Sequence, residues 1–208
     1  DGFEYKEADV PMESRPEIDR WILSVLNTLI KEVDTCYNEY EPTKAGRLIS
    51  DFVNDNLSNW YVRRCRERYW GSDMTDDKKA AYATLAHVLT TLSKVIAPYV
   101  PFVAESIYQN IVRSVDKTAP ESVHLTSFPV CDDSLVDKDL ERNMERLTDV
   151  VVLGRSARNA ANIKNRQPLS KLYIISEGGE KFGGELTDIL ADELNVKQVE
   201  YAADSSAF

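Results

Sequence analysis

Two stretches of the 208-residue sequence concentrate side chains that could bind the phosphates and bases of a nucleic acid. The first, residues 59–70, has four arginines between two tryptophans and a net charge of +3. The planar guanidinium of arginine binds phosphate through paired hydrogen bonds, and guanidinium planes and aromatic rings both stack on unpaired bases. This mixture therefore predicts contacts with unpaired nucleotides. The candidate RNA-binding residues of this stretch are Trp60, Arg63, Arg64, Arg66 and Arg68.

Arg64 has a second interpretation. When the helical spacing of the upstream apolar residues, which runs to Trp60, is continued, the buried face of the helix reaches Arg64. Either the helix changes register near residues 54–56, or Arg64 is partly buried and paired. Arginine suits both roles, because its fork binds carboxylate and phosphate alike. An arginine-rich helix that closes ion pairs inside an acidic bundle therefore stays open as an alternative.

The second stretch, residues 154–169, has four basic residues and no acidic one. Solvated helix faces usually mix both signs of charge, so a stretch without acid favours phosphate contact over a bland surface. On a continuous helix, steps of four, three and four residues would align Arg155, Asn159, Asn162 and Arg166 in one polar stripe. We expect Arg155, Arg158, Lys164 and Arg166 to hold phosphates, and Asn159 and Asn162 to touch base edges.

Nothing in the sequence indicates catalysis or a metal site. The only histidines, His87 and His124, lack a matching ligand cluster or nucleophile, and no phosphate-loop, dinucleotide-binding or hydrolase motif occurs. Cys36, Cys65 and Cys131 lie too far apart for a CxxC knuckle, and their odd number argues against a disulfide framework. We therefore expect no catalytic residue, no metal and no cofactor in this chain. The net charge of −10 leaves the two basic stretches on an acidic body.

The apolar spacing predicts the elements that must position these residues. Residues 17–40, 44–70, 75–96 and 102–113 have helical periodicity with short connections, which is typical of an antiparallel helical bundle. A long charged helix is expected from residue 138 to about 165. After it, two short apolar runs flank a short helix, which indicates a small α/β appendage. The expected fold class is thus mostly α, a helical bundle followed by a long helix and this appendage.

The chain divides into three predicted parts, a lead-in segment (1–15), a helical bundle (16–137) and a C-terminal helix with a β-α-β appendage (138–208). No apolar run approaches the ~20 residues of a membrane span, and residues 1–15 contain no basic stretch followed by an apolar one. We therefore expect a cytoplasmic protein without a membrane partner. Because it begins with Asp1 rather than Met, the chain is expected to be a piece of something longer.

Several motifs, in order, resemble one known family. Residues 16–24 (PEIDRWILS), 55–64 (DNLSNWYVRR) and 96–105 (IAPYVPFVAE) resemble the anticodon-binding helical domain of class I aminoacyl-tRNA synthetases. Within that class, residues 154–169 (GRSARNAANIKNRQPL) and 193–197 (ELNVK) are most similar to the isoleucyl branch. The valyl and leucyl branches share the bundle and are the nearest alternatives.

The resemblance implies a tRNA-binding fragment of an isoleucine-tRNA ligase, which joins isoleucine to its tRNA using ATP. In that family an HIGH-like motif and a KMSKS-like motif handle ATP together with Mg, and an inserted domain edits mischarged tRNA. These motifs and this domain are absent from the sequence. The fragment alone is therefore expected to be catalytically inactive. The implied partners are an isoleucine tRNA and the remaining domains of the parent enzyme, with no DNA. An acidic helical module that binds a protein through Tyr69 and Trp70 is the alternative from a different functional class.

Overall fold

The computed structural model describes residues 10–175 and 179–202, and this part of the chain is mostly helical. It forms two compact units, and the division between them falls between Asp137 and Lys138. The described residues contain seven α-helices and two strands. The predicted fold class, a helical bundle with a small α/β appendage, is confirmed. Of the predicted lead-in, residues 1–9 lie outside the described residues, and Met12–Ser14 forms one 3-10 turn.

The first unit is built around its longest helix, α1 (Glu17–Asn38), which packs on α2 (Pro42–Asp51) and α4 (Asp76–Ile96). Apolar residues at helical spacing on α1, among them Ile22, Leu26 and Val33, are fully buried. Burial of such a stripe against neighbouring helices is the main source of stability for a helix of a bundle. The remaining helices of this unit are α3 (Arg66–Trp70) and α5 (Pro101–Tyr108).

The chain between α2 and α3 is wound as a π-helix, Phe52–Val62, rather than as the continuous α-helix predicted from the apolar spacing. The wider winding of a π-helix shifts the face on which later residues fall. It brings the neighbours Trp60 and Tyr61 into the core together, which an α-helical stripe with steps of three and four does not do. The change of register considered for residues 54–56 is therefore present.

Helix α4 begins at a side-chain cap. Thr75 accepts a hydrogen bond of 3.1 Å from the backbone N–H of Lys78, and two acidic residues, Asp76 and Asp77, follow in the first turn. A threonine oxygen satisfies one of the unpaired amides at a helix start, and acidic residues there offset the positive end of the helix dipole. The cap fixes where α4 begins and so where Asp77 lies.

The second unit combines a long helix with a β-α-β segment. It consists of α6 (Lys138–Ala160), β1 (Leu169–Ile175), α7 (Gly184–Leu194) and β2 (Val196–Ala202). The strands pair in parallel, with Leu169 opposite Val196. A parallel pair requires a crossover connection, and α7 supplies it. Within the described part of the chain, no helix has the length and apolar character needed to cross a bilayer.

Candidate nucleic-acid interface

Trp60, the first predicted RNA-binding residue, belongs to the core of the first unit. Its side chain is 7% exposed, and the guanidinium carbon of Arg63 lies 5.6 Å from the centre of its ring. Little of the indole is therefore available for stacking on a base, and we leave Trp60 out of the proposed interface. Its burial agrees with the spacing of the upstream apolar residues, which runs to Trp60.

Arg68 has structural partners. Its Nη1 and Nη2 donate to the two carboxylate oxygens of Asp19 at 2.7 and 2.9 Å, and its Nε donates to Asp77 at 2.9 Å. Burial by itself lowers the pKa of the Arg68 guanidinium, but its hydrogen bonds with Asp19 and Asp77 outweigh this and raise the pKa above its ordinary value. The ion-pair alternative considered for this arginine-rich helix thus describes Arg68, which we also leave out of the interface.

The buried carboxylate of Asp19 organises the neighbouring side chains. Tyr61, which is fully buried, donates a hydrogen bond of 2.8 Å to it. Burial, and next the charge of Asp19, raise the pKa of the Tyr61 hydroxyl well above its ordinary value. Burial also raises the pKa of the Cys65 thiol to about 11. This part of the helix therefore has a structural role, holding α1, the π-helix and α3 together.

The exposed residues of the first stretch are Asn59, Arg63, Arg66, Glu67 and Trp70, while Arg64 is half-buried. The indole of Trp70 is 75% exposed, and the guanidinium carbon of Arg66 lies 5.3 Å from its ring centre. Arg63 is held by a hydrogen bond of 2.9 Å from its Nε to the carbonyl oxygen of Asn59. The structure thus presents two guanidinium groups and one open aromatic face to solvent.

Trp70 is absent from the sequence-based set of RNA-binding residues. A signal for it existed, since it is the last residue before Gly71, where the helical pattern ends. Trp60 was chosen instead because it begins the arginine-rich stretch, although the apolar spacing that runs to it indicates burial.

In the second stretch, helix α6 ends at Ala160, earlier than the predicted end near residue 165. Asn162 adopts a left-handed conformation with φ of 55°, and the amide of Ile163 donates to the carbonyl oxygen of Arg158 at 2.8 Å. This pattern is a Schellman motif, a common way to end a helix with glycine or asparagine in the left-handed position. The predicted polar stripe is therefore wrong beyond Ala160, because the residues that follow lie in turns.

Arg158 points into the second unit, where it is 5% exposed. Its guanidinium donates to four backbone carbonyl oxygens, those of Lys164, Gln167, Leu194 and Asn195. Arg158 is thus bound internally and is left out of the set that could contact phosphate. Arg155 is partly exposed and forms an ion pair of 2.5 Å with Glu193.

Four of the predicted RNA-binding residues of the second stretch are exposed on or just after the end of α6, namely Asn159, Asn162, Lys164 and Arg166. Within the described residues, no hydrogen bond or ion pair occupies the side chain of Lys164 or Arg166. The two basic stretches belong to different units, so each forms its own candidate surface. We call Arg63, Arg66 and Trp70 the first surface, and Asn159, Asn162, Lys164 and Arg166 the second surface.

A family model described as the anticodon-binding domain of tRNA ligase matches residues 19–174 of this chain. The chain belongs to this family of anticodon-binding domains. The match includes all of the first surface and all of the second. It agrees with the order of helical motifs from which the resemblance to class I synthetases was inferred.

Proteins similar to this anticodon-binding domain are named isoleucine–tRNA ligase. The protein of Bacteroides fragilis is 53% identical over 203 residues, which are 97% of this chain and 18% of that protein. Those of Clostridium novyi and Porphyromonas gingivalis are 52% and 46% identical, over 99% of this chain. The chain spans about a fifth of the length of these relatives.

In the described part of the anticodon-binding domain, no group of three or more His, Cys, Asp or Glu side chains is arranged so that it could hold a metal ion. Its three cysteines are free, with Cys36 and Cys65 buried and Cys131 half-buried. The chemistry available on the two surfaces is therefore charge, hydrogen bonding and stacking. These are the interactions by which proteins bind the backbone and unpaired bases of RNA.

Proposed function

We propose that this chain is the tRNA-binding part of an isoleucine–tRNA ligase and contacts the anticodon arm of an isoleucine tRNA. Two lines support this proposal. The family model covers three quarters of the chain, and similar proteins in several bacteria carry the name isoleucine–tRNA ligase. The strongest single observation in its support is the Trp70 ring, which is open to solvent and contacts Arg66 on a chain that is otherwise acidic.

The first surface would bind an unpaired nucleotide. One face of Trp70 contacts Arg66, and the ring is otherwise largely open to solvent, so a base can stack on it. Stacking on an aromatic ring tolerates every base, whereas the neighbouring guanidinium groups of Arg63 and Arg66 attract the phosphates on either side. Anticodon loops contain unpaired bases that can be splayed out in this way.

The second surface would bind the sugar-phosphate backbone. Lys164 and Arg166 have exposed charged groups, and Asn159 and Asn162 add hydrogen-bonding groups beside them. Side chains reach mainly phosphates and 2′-hydroxyl groups on an A-form stem, because its major groove is deep and narrow. This surface would therefore add affinity with little dependence on sequence, and base recognition would depend on the first surface.

The remaining activities belong to the rest of the parent enzyme in this proposal. Activation of isoleucine with ATP and Mg, transfer to tRNA and editing would reside in the four fifths of the relatives that this chain does not match. The chain alone would bind tRNA without aminoacylating it. We place the parent enzyme in the cytoplasm, where tRNA charging serves translation.

Binding of this 208-residue chain to two transcripts tests the proposal. The first is an isoleucine tRNA, and the second is the same tRNA with its anticodon bases replaced. We expect the first to bind more tightly at both about 50 and about 200 mM salt. If the exposed cations Arg63, Arg66, Lys164 and Arg166 each neutralise one phosphate, the log–log salt slope is about −3.

Three outcomes are decisive. Equal weak binding of both transcripts would remove the claim of anticodon recognition, and binding that does not depend on salt would contradict the phosphate contacts. Absence of any binding at low salt would favour the alternative, an interaction module whose exposed Trp70 binds protein. A valine tRNA and a leucine tRNA added as competitors separate the isoleucyl assignment from its two nearest branches.

A further inference from the structure

The buried guanidinium of Arg158 lies inside the backbone turn that carries Lys164 and Arg166. Its Nη1 donates to the carbonyl oxygens of Lys164 and Gln167, both at 3.0 Å. The amide of Gln167 donates to the carbonyl oxygen of Lys164 at 2.9 Å, which closes the turn. Arg158 therefore binds both ends of one turn from within.

The same guanidinium ties this turn to the end of helix α7. Its Nη2 donates to the carbonyl oxygens of Leu194 and Asn195 at 2.5 and 3.2 Å. The side-chain amide of Asn195 in turn donates to the carbonyl oxygen of Asn165 at 3.3 Å. Carbonyl groups at the end of a helix carry partial negative charge, so they stabilise a cation that is otherwise removed from water.

The backbone carbonyl groups of this turn and its basic side chains have different surroundings. The carbonyl groups point inward to Arg158, and the side chains of Lys164 and Arg166 are exposed. A flexible loop loses conformational freedom when it binds a ligand, and a loop already held in place loses less. A planar fork with five donors suits this task, since one residue can fix four carbonyl groups in a defined arrangement.

We propose that Arg158 is a positioning residue that presents Lys164 and Arg166 to the phosphate backbone of RNA. This inference rests on the proposed function, because it assigns the RNA contacts to the second surface. Arg158 itself contacts no RNA in this scheme. Its contribution to binding passes entirely through the two basic side chains of the turn.

A double-mutant cycle in the 208-residue chain tests the proposal with an isoleucine tRNA as the probe. We expect Arg158→Met to weaken binding as much as the double variant Lys164→Ser, Arg166→Ser, and to make the log–log salt slope shallower by about 1.5. In the background of the double variant, Arg158→Met should have no further effect.

Two further variants serve as controls. Arg158→Lys, which keeps the charge and some donors, should restore part of the binding. Arg142→Met, which replaces an exposed arginine on the same helix, is the matched control and should leave both the affinity and the slope unchanged.

Amide hydrogen exchange gives a second readout, independent of RNA. In Arg158→Lys the amide of Gln167 should exchange faster, while amides in the middle of α6, such as that of the buried Val151, keep their protection. Unchanged exchange at Gln167, or an equal loss of binding in both backgrounds of the cycle, would overturn the positioning role while the tRNA-binding function stands. If the unaltered chain binds no tRNA, the proposed function fails and the positioning role fails with it.

Discussion

Arg68 and Asp19 join helix α3 to helix α1 through two hydrogen bonds, of 2.7 and 2.9 Å, between one guanidinium and one buried carboxylate. The second carboxylate in contact with Arg68, that of Asp77, is about half exposed. Arg68 belongs to the arginine-rich stretch, but carboxylates of the protein itself already neutralise its charge. Its neighbours Arg63 and Arg66 are exposed, so adjacent members of one basic cluster have different roles.

Replacement of Asp19 by asparagine should strongly destabilise the first unit. The change leaves the buried part of the Arg68 guanidinium without its main counter-charge, and loss of one partner of a buried ion pair costs about 3 kcal/mol or more. Asp77→Asn is the control, because its carboxylate is exposed and exposed pairs contribute less than about 1 kcal/mol. Urea unfolding of both variants measures the difference. Equal small losses would contradict the buried role of Asp19.

The free energy of unfolding of the first unit should fall above about pH 9, because Cys65 and Tyr61, which lie near Asp19, have raised pKa values. Burial raises the pKa of the Cys65 thiol from 9.0 to about 11, and the pKa of Tyr61 is also raised. Between these pH values the unfolded chain loses the thiol proton and the folded chain keeps it, so rising pH favours unfolding. The contribution of Cys65 is about 2–3 kcal/mol, present in full below pH 9 and lost by about pH 11.

Unfolding in urea at pH 7, 9 and 10.5 measures this dependence. Cys65→Ala removes the thiol and should make the fall between pH 9 and 10.5 less steep. An unchanged slope in that variant would mean that other groups, such as the buried tyrosines, account for the alkaline sensitivity.

The helical bundle could be predicted because apolar periodicity along α1 follows the side chains that are buried. The π-helix could not, since its register change depends on packing of Trp60 and Tyr61 against other helices. This one change places Tyr61 beside Trp60 in the core. Local spacing is reliable only as long as the winding stays constant.

The sequence also could not predict which arginines are bound inside the fold and which are exposed to solvent. Arg68 and Arg158 differ from Arg66 and Arg166 only in what lies opposite them in the fold, a carboxylate 49 residues away and carbonyl groups 36 and 37 residues away. The early end of α6 had a weaker signal, because Asn162 is a residue type that accepts the left-handed conformation. The sequence therefore predicted where the basic stretches lie, and not which of their charges face solvent.

Tyr40→Gly should stabilise the first unit. Tyr40 follows α1 with φ of 58°, and the amide of Glu41 donates to the carbonyl oxygen of Cys36 at 2.8 Å, as in a Schellman motif. Glycine adopts this conformation without the cost of about 1 kcal/mol that other residues incur. The ring of Tyr40 is 92% exposed, so little packing is lost. A midpoint of urea unfolding that does not rise would show that this ring makes a compensating contribution.

Asn162→Gly should separate a capping role from a contact with bases. Glycine keeps the left-handed turn at the end of α6, so the stability of the second unit should change by less than about 0.5 kcal/mol. Asn162→Ala should lose about 1 kcal/mol, because alanine is strained in this conformation. If tRNA affinity falls in both variants, the amide contacts RNA. If only the alanine variant changes, and only in stability, the residue is a cap alone.

Trp70→Ala should weaken binding of an isoleucine tRNA about 5- to 150-fold, since stacking on an aromatic ring contributes about 1–3 kcal/mol per base. The ring is exposed, so the stability of the first unit should stay nearly unchanged. Phe102→Ala, which removes an equally exposed ring from α5, is the control and should leave tRNA affinity unaltered. Arg66→Lys keeps the charge but loses the flat guanidinium beside the indole, so an intermediate loss is expected because lysine stacks poorly. Equal losses in the Trp70 and Phe102 variants would indicate a general apolar effect, and no loss in Trp70→Ala would remove the first surface from the tRNA interface.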